Sequence, residues 1–259
     1  MTEARHEIAV IGSGPSGVAA AKALLAGGKA VVMYDAGAQM PEVAAVIRES
    51  MAGSVPDDWD SQAVTRLNEQ GLKERDQVPL KTAFGSDYPY FFDADITESG
   101  ASILGSRARG GLSNVWGASI LPLNAQDMAN WPLALADLEP HYQAVLEWLP
   151  HAQIADDLAR DYPLYSAYER KLGLSRQAMA MLADLTPAGP TLDTAGIRFG
   201  RARLAMSNCF YCGQCLIGCP YQFIYSANDT LAELKEQPHF RYVSGVKVNG
   251  LTEHADRIE

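Results

Sequence analysis

The chain has 259 residues, enough to bury a substantial core in one large or two modest domains, and at 47% hydrophobic and 20% charged it has a globular composition. A net charge of −10 argues against nucleic acid or an anionic membrane as the main partner. No apolar run reaches the roughly 18 residues of a transmembrane span. No basic leader precedes the first predicted strand, so the expected location is the cytoplasm, with export or membrane association through a partner subunit as the alternative.

The first informative stretch runs from Ile8 to Ala21: a strand-length apolar run, then Gly12-Ser13-Gly14-Pro15-Ser16-Gly17, then an Ala- and Leu-rich helix. This is the spacing of a dinucleotide-binding turn. Gly12 permits the tight turn, Gly14 lets backbone approach a pyrophosphate, and Gly17 lets helix lie close on strand, with the free N–H groups of the helix start facing the anion. A second run, Ala30 to Tyr34, ends in Asp35, 23 residues after Gly12. That is the place of an acid that accepts from a ribose hydroxyl, and a carboxylate there favours an unphosphorylated ribose. The competing reading is a parallel strand pair without a ligand.

Residues 38–100 read as an insertion, with predicted helices over 42–51 and 58–70 and an aromatic, turn-rich segment over 79–92. Phe84, Tyr88, Tyr90, Phe91 and Phe92 there suit a buried flap better than the lining of a substrate path. Ser106 to Gly117 follows, with paired Gly110 and Gly111, small polar Ser113 and Asn114, and Arg107 and Arg109 as donors for anions. Taken alone, it reads equally as a glycine-rich surface loop.

Taken together, the glycine turn, Tyr34-Asp35-Ala36-Gly37, and Gly110-Gly111-Leu112-Ser113-Asn114-Val115-Trp116-Gly117 resemble the glucose-methanol-choline (GMC) family of FAD-dependent oxidoreductases. The resemblance implies that Gly12, Ser13, Gly14, Pro15, Ser16 and Gly17 hold the FAD pyrophosphate and that Asp35 holds the adenosine ribose. It places Gly110, Gly111, Ser113 and Asn114 along the flavin, with Arg107 beside them as a cofactor-binding donor for anions. Leu112 stands where the family has Ser and Trp116 where it has Asn, so the pattern is that of a divergent branch. The implied architecture is an α/β, Rossmann-like FAD/NAD(P)-binding fold, three-layered around a parallel sheet. One discontinuous domain would have its core in 5–37, 101–125 and 221–259, mostly helical insertions in 38–100 and 126–206, and a cysteine loop at 207–220.

From Pro122 to Pro150, Asp127 to Pro132 reads as a turn and 136–149 as a helix with Leu138, Tyr142, Val145, Leu146 and Leu149 on one face. His141 on that helix reads as a helix-start or surface histidine rather than a catalytic one. Two further helices are expected around 165–172 and 176–185, then a Pro/Gly turn at 186–190.

All four cysteines lie between Asn208 and Pro220, spaced C-x2-C-x2-C-x3-C-P, the bacterial ferredoxin run for iron–sulfur ligation. In two-cluster ferredoxins the fourth cysteine serves the other cluster, and here there is no second run. Either three of Cys209, Cys212, Cys215 and Cys219 hold a cluster lacking a fourth cysteine, such as a three-iron form, or all four wrap one cluster. Zinc, which more often takes two separated pairs, and structural thiols or disulfides are the other readings. Relatives of the FAD-dependent glucose and fructose dehydrogenase type carry a three-iron cluster at a corresponding segment, which implies an electron exit.

After Pro220 a helix ends by Pro238, and short strands are expected over 240–243 and 246–251; the resemblance brings the second to the adenine at Val248. A turn toward another strand is expected from Glu253. In the family the substrate domain and the catalytic histidine lie beyond the point that Glu259 reaches. The chain is therefore expected to be the N-terminal part of a longer enzyme, without a catalytic residue of its own. The implied function is an FAD-dependent dehydrogenase that moves hydride from the CH–OH of an alcohol or sugar to flavin and passes electrons through the cluster to a redox protein or quinone. The alternatives are a non-catalytic flavin or iron–sulfur electron-transfer module and an NAD-linked reductase. The latter leaves the second glycine segment and the cysteines unexplained.

Overall fold

The computed structural model describes residues 7–68, 88–91, 99–100, 105–255 and 257–258. In chain order its elements are β1 (Glu7–Ile11), α1 (Pro15–Ala26), β2 (Ala30–Asp35), α2 (Glu42–Ala52), α3 (Ser61–Asn68), β3 (Tyr90–Phe91), β4 (Gly105–Ser106), α4 (Leu135–Leu146), α5 (Arg176–Thr194), α6 (Ala227–Lys235) and β5 (Phe240–Ser244). The chain divides into two compact units, one of residues 1–116, 214–222 and 226–259, the other of 117–213 and 223–225.

The first unit is α/β. Its sheet has the order β1-β2-β5, and both pairings are parallel. The β-branched run of β2 makes it the central strand, with Val31, Val32 and Met33 buried, each stabilising the core by about 1.5–3 kcal/mol. In β1 only Val10 is buried. Pro15 opens α1 at the position where its missing N–H costs nothing, and Val18 and Ala21 bury the face that meets the sheet. The two glycines after Ala26 end the helix, Gly28 in the left-handed region at φ +72°.

Within residues 38–68, α2 matches its expected span, and α3 begins at Ser61 instead of residue 58 because Pro56–Asp58 forms a separate 3-10 turn. Ala44, Met51 and Leu67 from this hairpin form a buried cluster with Ile217, bordered by Met40, Ile47, Trp59 and Val64. Of the expected aromatic flap, Tyr90 and Phe91 form β3, antiparallel to β4, and Tyr88 is half-buried; Phe84 and Phe92 lie outside the described residues.

The second unit is built of helices and irregular strips. His141 is exposed on α4, and the apolar face expected of that helix is half-buried. The helix expected over 165–172 is extended instead, because its main chain bonds elsewhere: Gln153 Nε2 donates to the carbonyls of Ser166 and Tyr168, and the Arg170 N–H to the Gln153 carbonyl. The turn expected at 186–190 is also absent. Ser175 caps α5 by accepting from the Ala178 N–H at 3.1 Å, and the helix continues through Pro187 and Pro190 to Thr194. Their fixed φ suits a helix, and the lost N–H bonds fall on a stretch with no buried residue, where the carbonyls are open to solvent. A buried ion pair, Arg203 Nη2 to Asp156 Oδ1 at 2.9 Å, holds the strip beneath. No helix among the described residues is long and apolar enough to cross a membrane.

Candidate functional site

The first unit brings the two glycine segments together at the N-terminus of α1. Gly12 sits at φ +87°, a conformation that disfavours any side chain, and a Cβ at Gly17 would overlap the Gly12 carbonyl oxygen. Gly14 is the N-cap of α1 and offers no side-chain cap, so the first N–H groups of the helix keep their capacity to donate to an anion. Ser13 is buried, while Pro15 and Ser16 are exposed. A Cβ at Gly111, which sits at φ +61°, would stand 3.0 Å from the Gly14 Cα, so this meeting of backbones demands glycine at 111, whereas a Cβ at Gly14 would make only an ordinary contact at 3.9 Å.

Hydrogen bonds then lock the segments. The Gly110 N–H donates to Ser13 Oγ at 2.9 Å, and Ser13 Oγ donates to Asp35 Oδ2. Tyr242 OH donates to the same carboxylate oxygen at 2.8 Å. Burial, with the Asp35 carboxylate as its acceptor, pushes the Tyr242 phenol up to about 12. Residues 107–109 run beside residue 38, the Ala38 N–H donating to the Arg107 carbonyl and the Arg109 N–H to the Ala38 carbonyl, both at 2.9 Å. Arg107 is half-buried there.

Gly111–Asn114 forms a 3-10 turn entered through Gly110 at φ +82°. Asn114 Nδ2 donates to the carbonyls of Arg109 and Gly111 at 2.8 and 2.7 Å, and Ser113 Oγ to that of Gly110 at 2.5 Å. At the start of α6 the Ala227 N–H donates to Ser113 Oγ, Asn228 Nδ2 donates to Asn114 Oδ1, and Arg109 Nε donates to Asn228 Oδ1. Ser113 and Asn114 therefore spend their polar atoms on shaping the turn.

Val248 is half-buried, two residues past Val246, whose N–H donates to the Asp35 main-chain oxygen at 3.0 Å. The strand expected over 246–251 does not form; these residues pair with no neighbouring strand among the described residues, and a bridge between Glu253 and Ile258 closes a tight turn after them. Glu259, the position past which the resemblance puts the catalytic histidine, lies outside the described residues.

The cysteine run crosses from one unit to the other. In the first unit, Cys215–Ile217 is a 3-10 turn closed by Gly218 at φ +96°. Ile217 is buried in the α2–α3 cluster, and Tyr221 stacks on Trp59 and donates to the Ser54 carbonyl at 2.6 Å. A Cβ at Gly218 would come within 3.1 Å of Arg48 Nη1 and 3.3 Å of the Asn114 main-chain oxygen, so this half of the loop lies against the second glycine segment. In the second unit, the Tyr211 N–H donates to Cys209 Sγ at 3.2 Å, Tyr211 takes a left-handed φ of +55°, and its hydroxyl donates to the Gly173 carbonyl.

The cysteines are half-buried and none forms a disulfide. Their donor chemistry, with a main-chain N–H on one sulfur, suits an iron–sulfur centre. Among the described residues no three Cys, His, Asp or Glu side chains form a group that could hold a metal ion.

Tyr242, Asn228 and Arg48 were not among the residues expected at the site. Tyr242 carried a weak signal, since it alternates with Val243 in a predicted strand, but only the pairing Met33 to Tyr242 brings it beside Asp35. Comparison with known proteins finds no matching family model and no curated protein similar to this chain.

Proposed function

We propose that this chain is the cofactor-binding portion of an FAD-dependent oxidoreductase of GMC type, acting on the CH–OH group of an alcohol or sugar. The observation that supports it most is the backbone contact of Gly14 with Gly111, cross-bonded through Ser13 to Asp35. A Rossmann-type half-fold explains the first glycine turn alone. The second segment, held at the same helix N-terminus, needs a ligand that extends past the pyrophosphate.

In this reading the uncapped N–H groups at the start of α1 donate to the pyrophosphate. Asp35 Oδ2 is held by Ser13 and Tyr242, which leaves Oδ1 to accept from a ribose hydroxyl. Gly110 and Gly111 keep side chains away from the flat ring, and Arg107 and Arg109 lend positive charge near the phosphates. Val248 lies near the adenine. When bound, FAD supplies the hydride acceptor. Cys209, Cys212, Cys215 and Cys219 would hold an iron–sulfur cluster that passes single electrons to a redox protein or a quinone. None of the five histidines is assigned as the base.

The test is an absorption spectrum of protein purified without oxygen, with iron, sulfide and zinc assayed on the same sample and FAD titrated into the stripped chain. Flavin bands over a broad iron–sulfur background are expected. Flavin without metal would remove the cluster and leave the dinucleotide reading standing. Failure to bind FAD alongside tight binding of NAD would replace the proposal with the reductase.

A further inference from the structure

Helix α5 has 19 residues and buries none of them, which is unusual for a helix with an apolar stripe. Ala178, Met181, Leu182 and Leu185, spaced to share one face, line a cavity of about 320 Å³ instead of filling it. Opposite them lie Ile154, Leu172, Leu174, Phe199, Leu204 and Met206. The volume is at the lower end of small-molecule sites, and the lining is of the kind such sites use.

The charge on the lining is one-sided. Arg170, Lys171 and Arg201 contribute to the wall and, among the described residues, no carboxylate does, in a chain whose net charge is −10. These cations belong to one strip: Arg170 and Lys171 are adjacent, and Arg201 Nη1 donates to the Leu172 carbonyl at 2.9 Å. Arg170 is fixed by donating from Nη1 to the Ser207 carbonyl and from Nε to Tyr168 OH, both at 2.7 Å. Of the acids nearby, Asp156 pairs with Arg203 and also accepts from the Arg201 main-chain N–H, Asp193 pairs with Arg160, Glu169 accepts from the Ala155 N–H, and Asp157 borders the adjoining hollow; none of them lines the cavity itself. Each guanidinium still has N–H groups beyond these bonds, because it carries five.

We propose that this cavity binds a small amphiphile with an apolar body and an anionic head, of the chemical class of a medium-chain carboxylate. The chain lies under the Met181–Leu182–Leu185 face, and the head takes charge-assisted hydrogen bonds from Lys171 and Arg201. The lining belongs to the second unit alone and uses no residue of the flavin reading, although Cys209, a proposed cluster ligand, also borders it.

The test titrates sodium decanoate, below its aggregation concentration, into the whole chain by calorimetry, with decanol as the uncharged comparison and thermal unfolding alongside. Decanoate should bind saturably with about one per chain and raise Tm, while decanol binds at least about tenfold more weakly, a loss of about 1.4 kcal/mol. Leu182→Trp, which fills the cavity, should abolish binding. Lys171→Gln changes an exposed side chain and should weaken decanoate severalfold while leaving decanol unchanged. No saturable binding, equal affinity for decanol, or decanoate binding indifferent to Lys171→Gln would each overturn the proposal.

Discussion

One carboxylate oxygen, Asp35 Oδ2, accepts from both Ser13 and Tyr242, so the acid expected to meet a ribose is oriented before any ligand arrives. The phenol keeps its proton in the fold above its ordinary pKa near 10. Its stabilising contribution is therefore whole below pH 10 and is lost as the pH rises through about 12. Tyr242→Phe should flatten this alkaline limb of the denaturation midpoint and weaken FAD binding severalfold with the fold retained. Gly17→Ala should cost about 1–3 kcal/mol in chemical denaturation, because its methyl meets the Gly12 carbonyl, and should abolish FAD binding. Gly12 and Gly17 were legible because they answer to a local steric demand that spacing records, whereas Gly110 and Gly111 are crowded by Asn228 and Gly14, far off in the sequence. Tyr242 was not legible, since its bond to Asp35 spans 207 positions and leaves no local mark.

At the scale of elements, the α2–α3 hairpin seats one half of the cysteine loop. Leu67→Ala should cost about 2–5 kcal/mol in urea denaturation and raise the reactivity of the Cys215 and Cys219 thiols, because Leu67 shares a buried cluster with Ile217. Arg48→Gln removes the guanidinium beside Gly218. If the loop holds a cluster, its reduction potential should fall, as measured by redox titration followed by electron paramagnetic resonance, because a nearby cation favours the more negative state. Of the elements, the sheet strands and α1 announced themselves through β-branched runs and an alanine-rich stretch. The misreadings have physical causes. Residues 165–172 have helical composition but give their main-chain groups to Gln153 and its neighbours, and α5 passes through two prolines that a local reading takes for a turn.

Across the whole chain, each of the two compact units carries buried interactions of its own. In the second unit the Asp156 carboxylate pairs with Arg203, whose side chain is 4% exposed, and also accepts from the Arg201 and Leu158 N–H groups. Asp156→Ala should therefore destabilise that unit by about 3–5 kcal/mol, read from the fluorescence of Trp148 packed edge-on against Tyr225, because it strands a buried guanidinium. Asp156→Asn should cost less, since it keeps the acceptor for those N–H groups.

The strand that covers the second edge of β2 comes late in the chain. Tyr242 is made 207 residues after Asp35, which at about 5–20 residues per second leaves β2 waiting on the order of 10–40 s for its neighbour during synthesis. For that interval the ribosome carries β1, α1 and β2 with the hydrogen-bonding side of β2 uncovered and the carboxylate of Asp35 lacking its phenol. The carboxylate thus gains its second donor only in a late step of synthesis, when β5 docks.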